Sequence, residues 1–278
     1  MSREHEVVVK ELTVYPVKAC QGTSLQEATL TPRGVVGDRL YTMVEDGEPL
    51  DQIKAPQLGG LAASCEGDGE HLVFSHPEHG SFEHTRRDEG ERIATKYVLD
   101  SFEGIDQGDD VAAWLSKITG RSVRLITAGE PWKQNLPLEQ FSLLHEKLRE
   151  RFYAVSPVSI ANVASLEDLN GRLKEPVPMN RFRMNVVLEG LDAFQEDSLV
   201  SLETDSVSLE RVTVAERCII VTTDQETGER KKSDLLQTLN KYRRRPKGER
   251  FGSGLVFGAY MAVAREGVIR VGDRMVVR

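Results

Sequence analysis

Residues 216–224 read ERCIIVTTD, a lone cysteine, Cys218, followed by a β-branched run with the composition of a strand. The only other cysteines are Cys20 and Cys65, so the three cannot all pair, and none forms a CxxC. An isolated cysteine in a strand is most simply a small buried hydrophobe. Arg217 beside it opens two other readings, a thiolate nucleophile activated by the guanidinium or a soft metal ligand. Adjacent residues on a strand point to opposite faces, so spacing alone leaves the three readings open.

The β pattern spreads outward from this stretch. Residues 7–45 alternate short β-rich runs with turns at Gly22, Pro32-Arg33-Gly34, Gly37-Asp38 and Asp46-Gly47. The alternation continues past the Gly67-Asp68-Gly69 turn, and no helix is expected before about residue 105. DDVAAWLSKITG (109–120) then predicts a helix capped by Asp109 or Asp110 and ended by Gly120. LEQFSLLHEKLRERF (138–152), with Leu138, Phe141, Leu144, Leu148 and Phe152 at helical spacing, predicts an amphipathic helix joining two halves. SLEDLNGRL (165–173) predicts another, with Ser165 and Asp168 close to a capping box. NVVLEG, SLVSLETDSVSLERVTV, RCIIVTT and YMAVAREGVIRVGDRMVVR all read as strands. The expected fold class is mainly β (α+β), two β-rich halves with a few short helices.

At 278 residues, 39% hydrophobic and 29% charged, the chain has the composition of a soluble protein with room for two modest domains. Its net charge of -8 excludes a general nucleic-acid binder. The first residues, MSREHEVVVKELTVYPVK, carry no signal-peptide pattern and no bilayer-crossing run, so a cytoplasmic protein without a membrane anchor is expected. One basic island, Lys231 to Lys247, reads as a solvated face, or as a dock for an acidic partner.

Other candidate residues are cationic. In RFRMNVV, an extended backbone would put Arg181, Arg183 and Asn185 on one face, suited to an oxyanion. Lys18 follows Pro16 at a strand end, and Arg39 follows the Gly37-Asp38 turn. The six histidines are few and scattered; His76, His79 and His84 cluster in a polar turn region and read as loop surface, with adventitious metal binding as the alternative. There is no GxxxxGK[ST], no GxGxxG after a strand, no HExxH and no GxSxG, which removes the commonest nucleotide and hydrolase sites. Pyridoxal phosphate binding is not expected either.

Taken in order, YPVKAC, GDRLY, SPVSIANVASLEDLN, NRFRMNVVL, ERCIIVTTDQETG, LNKYRR and FGAYMAV resemble the MOSC proteins, and more closely the group of the amidoxime-reducing components. The resemblance implies an N-terminal β-barrel-like MOSC-associated domain over 1–130, a helical connection over 131–152 and a β-barrel MOSC domain over 153–278. It implies a molybdenum cofactor (Mo-molybdopterin) whose metal is coordinated by Cys218, which also explains a single cysteine, since the pterin supplies the other sulfurs. Lys18, Arg39 and Arg183 match family positions that hold the anionic cofactor; Ser156, Asn185 and Tyr260 match positions that hydrogen-bond it. Three places depart from the family: Lys-Ser-Cys is Lys18-Ala19-Cys20, Asp-Thr-Ser-Pro is Ala154-Val155-Ser156-Pro157, and Cys-Ser-Arg-Cys is Ala215-Glu216-Arg217-Cys218. The implied activity is reduction of N-hydroxylated compounds such as hydroxylamines, amidoximes and N-hydroxylated bases, with electrons from a separate haem, flavin or iron–sulfur protein. The alternative is a carrier that holds the cofactor or sulfur on Cys218 without reductase activity.

Overall fold

In the computed structural model, residues 5–67, 69–97, 100–133, 144, 148–149, 151–246 and 254–278 are described. The first strand shows how sequence becomes curvature. In Glu6–Val14 the inward residues are Val7, Val9, Leu12 and Val14, so the two-residue alternation slips once. The register against Val186–Glu189 shifts between Val9 and Glu11, a β-bulge that absorbs the slip and bends the strand. Bends of this kind let a sheet close on itself.

Seven strands close into a barrel, in the order Val158–Asn162, Val186–Glu189, Glu6–Val14, Arg274–Val277, Ser201–Glu203, Ser208–Glu216 and Gly254–Arg265, the last pairing back to the first. The neighbours Val158–Asn162 and Val186–Glu189 run parallel, and a parallel pair needs a crossover. The helix Val163–Asn170 and the short 3-10 turn Met179–Phe182 lie on that crossover. Gly258, at φ 76°, sits where an added Cβ would stand 2.4 Å from the Ile160 carbonyl oxygen, so only glycine lets the strands approach there.

The N-terminal half is a second, nearly closed barrel. Its strands run Arg92–Tyr97, Asp100–Asp106, Arg124–Ala128, Tyr41–Glu45 and Glu48–Pro49, and Lys96 N donates to Gly47 O at 3.4 Å across the gap. The helix Asp109–Thr119 and the sheet Ala62–Glu66, His71–His76 and Gly80–Thr85 cover a core that includes Met43, Leu72, Phe74 and Leu115. The halves are interwoven: Glu6–Val14 is a wall of the C-terminal barrel, and Glu27–Thr31 pairs with Gly267–Arg270. No helix among the described residues is long and apolar enough to cross a membrane.

Several local expectations are corrected. The run after Cys218 is not a strand: the ladder ends at Glu216, opposite Val256, and Ile219–Thr222 forms a 3-10 turn that buries Val221. RFRMN is not extended, because Met179–Phe182 coils and Arg183 takes a left-handed conformation. Leu148–Arg149 pairs antiparallel with Trp132–Lys133, so the expected connecting helix does not reach the end of 138–152. The rest of that expectation falls largely outside the described residues. The N-cap of the helix Asp109–Thr119 is Gly108, with Asp106 accepting from its N–H at 2.8 Å, and not Asp109 or Asp110. Ser165 caps nothing either, since Asn162 is the N-cap of its helix.

Ser165 serves Glu196 instead. Its hydroxyl donates to Glu196 Oε2 at 2.8 Å, and the carboxyl group is 0% exposed, with its other oxygen lacking a protein partner among the described residues. Burial pushes Glu196 up to about 7. The folded state therefore keeps a proton that the unfolded chain releases near 4.5, and stability falls as pH rises from 4.5 to about 7. Denaturant unfolding between these pH values should show the wild type losing up to about 3 kcal/mol relative to Glu196→Gln, whose amide does not titrate.

Candidate active site

The cavity of interest opens where the strand Ser208–Glu216 leaves the barrel. It measures about 210 Å³, and Lys18, Arg39, Ser156, Arg183, Asn185, Cys218 and Tyr260 all line it. Thus the residues singled out in the sequence, from both halves of the chain, share one site. Asp51, Gln52, Arg181, Glu216 and Arg217 also line it, with Phe152, Tyr153 and Phe182 as its aromatic surface.

Cys218 stands at the start of the 3-10 turn and its side chain is exposed, which removes the buried-hydrophobe reading. That description belongs to Cys20, which is fully buried and whose thiol burial pushes up to about 12. Arg217, between the exposed Glu216 and Cys218, turns inward. Its Nε donates to Phe257 O at 2.9 Å and its Nη1 to Phe182 O at 3.1 Å. Burial pulls the Arg217 guanidinium down from its ordinary value.

Arg39 and Arg183 are set deeper. Both have positive φ, 49° and 55°, as does Ala19 at 71°, so three of the chain's non-glycine residues with left-handed backbone surround this cavity. Such conformations cost about 1 kcal/mol or more each and persist only where surrounding contacts hold them. Asp38, 1% exposed, supplies one such contact by pairing with Arg39 Nη1. Arg183 Nη1 donates to Gln225 Oε1 at 2.8 Å, and its Nη2 is buried without a protein partner among the described residues. Burial pulls Arg183 down to about 10, and Arg39 pulls the same way.

Two expected ligands have other work. The Asn185 oxygen accepts from Ser159 Oγ at 2.9 Å, from Ser159 N at 3.1 Å and from Arg39 Nη1 at 3.3 Å. Its nitrogen donates to Asp38 Oδ1 at 3.0 Å and Thr13 O at 3.2 Å. The amide is saturated, so it positions Asp38 and Arg39 and has no donor left for a bound group. Ser156 likewise spends its hydroxyl proton on Met261 O at 2.6 Å and can only accept.

The turn after Cys218 locks onto the N-terminal half. Asp224 Oδ1 accepts from Glu226 N at 2.9 Å and Thr227 N at 3.2 Å, while its Oδ2 accepts from Arg181 Nη2 at 2.8 Å. The amides of Gln52 and Gln225 donate to each other's oxygens at 3.0 Å. Gly228, at φ 72°, lies so close that a Cβ would meet Gln57 Cα at 2.7 Å. Only glycine fits that approach, which seats the turn against Gln57.

Two family models divide the chain between them, the MOSC N-terminal beta barrel domain over residues 6–122 and the MOSC domain over residues 147–276. Mitochondrial amidoxime-reducing component 1 of Homo sapiens is 30% identical, over 95% of this chain and 81% of its own length. Mitochondrial amidoxime reducing component 2 of Rattus norvegicus is 31% identical over the same shares, 95% and 81%.

The chain belongs to the MOSC family, with the amidoxime-reducing components.

Of the positions read in the sequence as departures from the family pattern, Ala19, Ala154 and Glu216 line the cavity, and Val155 packs beside Leu144, Val212 and Ala262. Glu216 itself is exposed at the edge of this cavity. The donor set fits an anionic group carrying a soft metal: cations inside, one of them with a buried N–H that has no partner among the described residues, and an exposed thiol at the opening. Asp38, Gln225 and Arg217 were not singled out as site residues; the adjacency Asp38-Arg39 in GDRLY is the one local signal for the first. Asp38→Ala would leave Arg39 buried without its counter-charge, and guanidinium unfolding should show a loss of about 3 kcal/mol or more.

Proposed function

We propose that this chain is a cytoplasmic, molybdenum-cofactor-dependent reductase of N-hydroxylated compounds, amidoximes and hydroxylamines among them. The observation that carries the reading is the exposed thiol of Cys218 on a cavity also lined by Lys18, Arg39, Arg183 and Arg217. When bound, the molybdenum group supplies the two-electron chemistry. Cys218 holds the metal as a thiolate. Lys18, Arg39 and Arg183, with Arg217, offset the negative charge of the group, and Arg183 Nη2 gains the acceptor it lacks among the described residues. Asn185 acts indirectly, by keeping Arg39 aimed. Tyr260 presents its side chain to the same cavity, where its hydroxyl serves as a hydrogen-bonding group.

Electrons come from a separate haem, flavin or iron–sulfur protein in this reading. The chain's own three cysteines are fewer than the four that usually hold an iron–sulfur cluster. A pure carrier of cofactor or sulfur would use the same thiol, but the cationic interior favours keeping an anionic group over relaying it. Elemental analysis, paired with benzamidoxime reduction by chemically reduced enzyme, separates the two. Wild type from a molybdenum-replete host should contain molybdenum and reduce benzamidoxime, and Cys218→Ser should lose at least about 100-fold in turnover. Protein that carries no molybdenum, and that Cys218→Ser leaves unchanged, refutes the reductase reading.

The basic island needs dividing before it is given to a donor protein. Arg243, its side chain 13% exposed, pairs with Asp197 at 2.6 Å and stacks on Phe194 at 4.0 Å, while Arg245 reaches Asp197 at 3.2 Å. These arginines tie the helix Leu235–Tyr242 to the barrel, and reversing their charge would test stability. Lys231 and Lys232 are exposed on a groove that shares Arg181 and Val221 with the cavity. The double variant Lys231→Glu, Lys232→Glu should lower turnover supported by an acidic donor protein several-fold and spare turnover with a small chemical reductant.

A further inference from the structure

Of the two inner arginines, Arg39 is held by the Asp38 carboxylate and Arg183 by the Gln225 amide, and one ring holds both. The guanidinium carbon of Arg39 lies 4.7 Å from the centroid of Tyr15, and that of Arg183 lies 4.5 Å from it. Tyr15 is fixed in turn: it is 4% exposed, its N–H donates to Asp38 Oδ1 at 2.9 Å, and its hydroxyl donates to Met184 O at 3.2 Å. It does not line the cavity, so it acts on a bound group only through the arginines.

Like charges in one site repel, and something must keep the pair in place before any ligand arrives. A second carboxylate would do so but would cancel the positive charge the site needs. An aromatic face attracts both cations through its quadrupole and carries no net charge. The surplus therefore stays available, and the Arg183 Nη2 has no protein partner among the described residues.

We propose that Tyr15 is the positioning residue of this site, its ring preorganising Arg39 and Arg183 for a doubly charged oxyanion of the phosphate class. The proposal rests on the cavity being the seat of an anionic group and adds the residue that readies it.

Titrating the cofactor-free full-length chain with inorganic phosphate by calorimetry tests this. Tyr15→Phe keeps the ring and should bind within about twofold of wild type, whereas Tyr15→Leu should bind about tenfold more weakly, the scale of two cation–π contacts. Ring-fluorinated phenylalanines at position 15 keep the shape while weakening the quadrupole. Phosphate affinity should fall stepwise with fluorine number. Equal weakening by Phe and Leu, or no response to fluorination, overturns the role of the ring while leaving the anion site standing. A wild type that binds no phosphate overturns the anion site and this proposal with it, whatever its molybdenum content.

Discussion

The amide of Asn185, 2% exposed, joins four segments of chain. Its oxygen takes protons from Ser159 in the barrel wall and from Arg39, and its nitrogen gives to Thr13 in the first strand and to Asp38. Within a low-dielectric interior, such a saturated network is stiff, because releasing any partner leaves a buried polar atom unpaired. Asp38 and Arg39 take their places from it, and Tyr15 is tied to the same carboxylate. The charged end of the cavity is thus assembled on a neutral side chain.

The division of labour among the cavity's polar groups follows from burial. Groups nearest the barrel interior, Asn185 and Ser156, have spent their donors on the protein. Arg183 sits one layer out and is only partly satisfied. Cys218 and Glu216 are exposed. Unspent hydrogen-bonding and coordinating capacity thus grows toward the opening, while the left-handed backbones of Ala19, Arg39 and Arg183 lie around the buried end.

Much of this was legible in the chain. Mainly β architecture followed from alternation, and the cavity residues Lys18, Arg39, Arg183 and Cys218 stood out by residue type. What local pattern missed was set by tertiary contact. Ile219 to Thr222 have strand composition, but the ladder that would have held them stops at Val256, and Val221 is buried in a turn packed near the helix Leu235–Tyr242. Arg181, Arg183 and Asn185 do converge, through a 3-10 turn and a left-handed residue instead of strand alternation. Glu196 looks like a turn residue in Gln195-Glu196-Asp197, and nothing local announces its burial. The reciprocal bond of Gln52 and Gln225 joins residues 173 apart, beyond the reach of any window of sequence.

The first strand has a consequence for how the molecule is made. Glu6–Val14 lies between Val186–Glu189 and Arg274–Val277, so the barrel cannot close until both ends of the chain are available. Until then the Glu6–Val8 end of this strand lacks its last partner, although Leu12–Val14 already pairs with Thr23–Leu25, and closure across such sequence separations is slow. A chain interrupted before Arg274 would carry two open sheet edges, and those edges are templates for pairing with another copy.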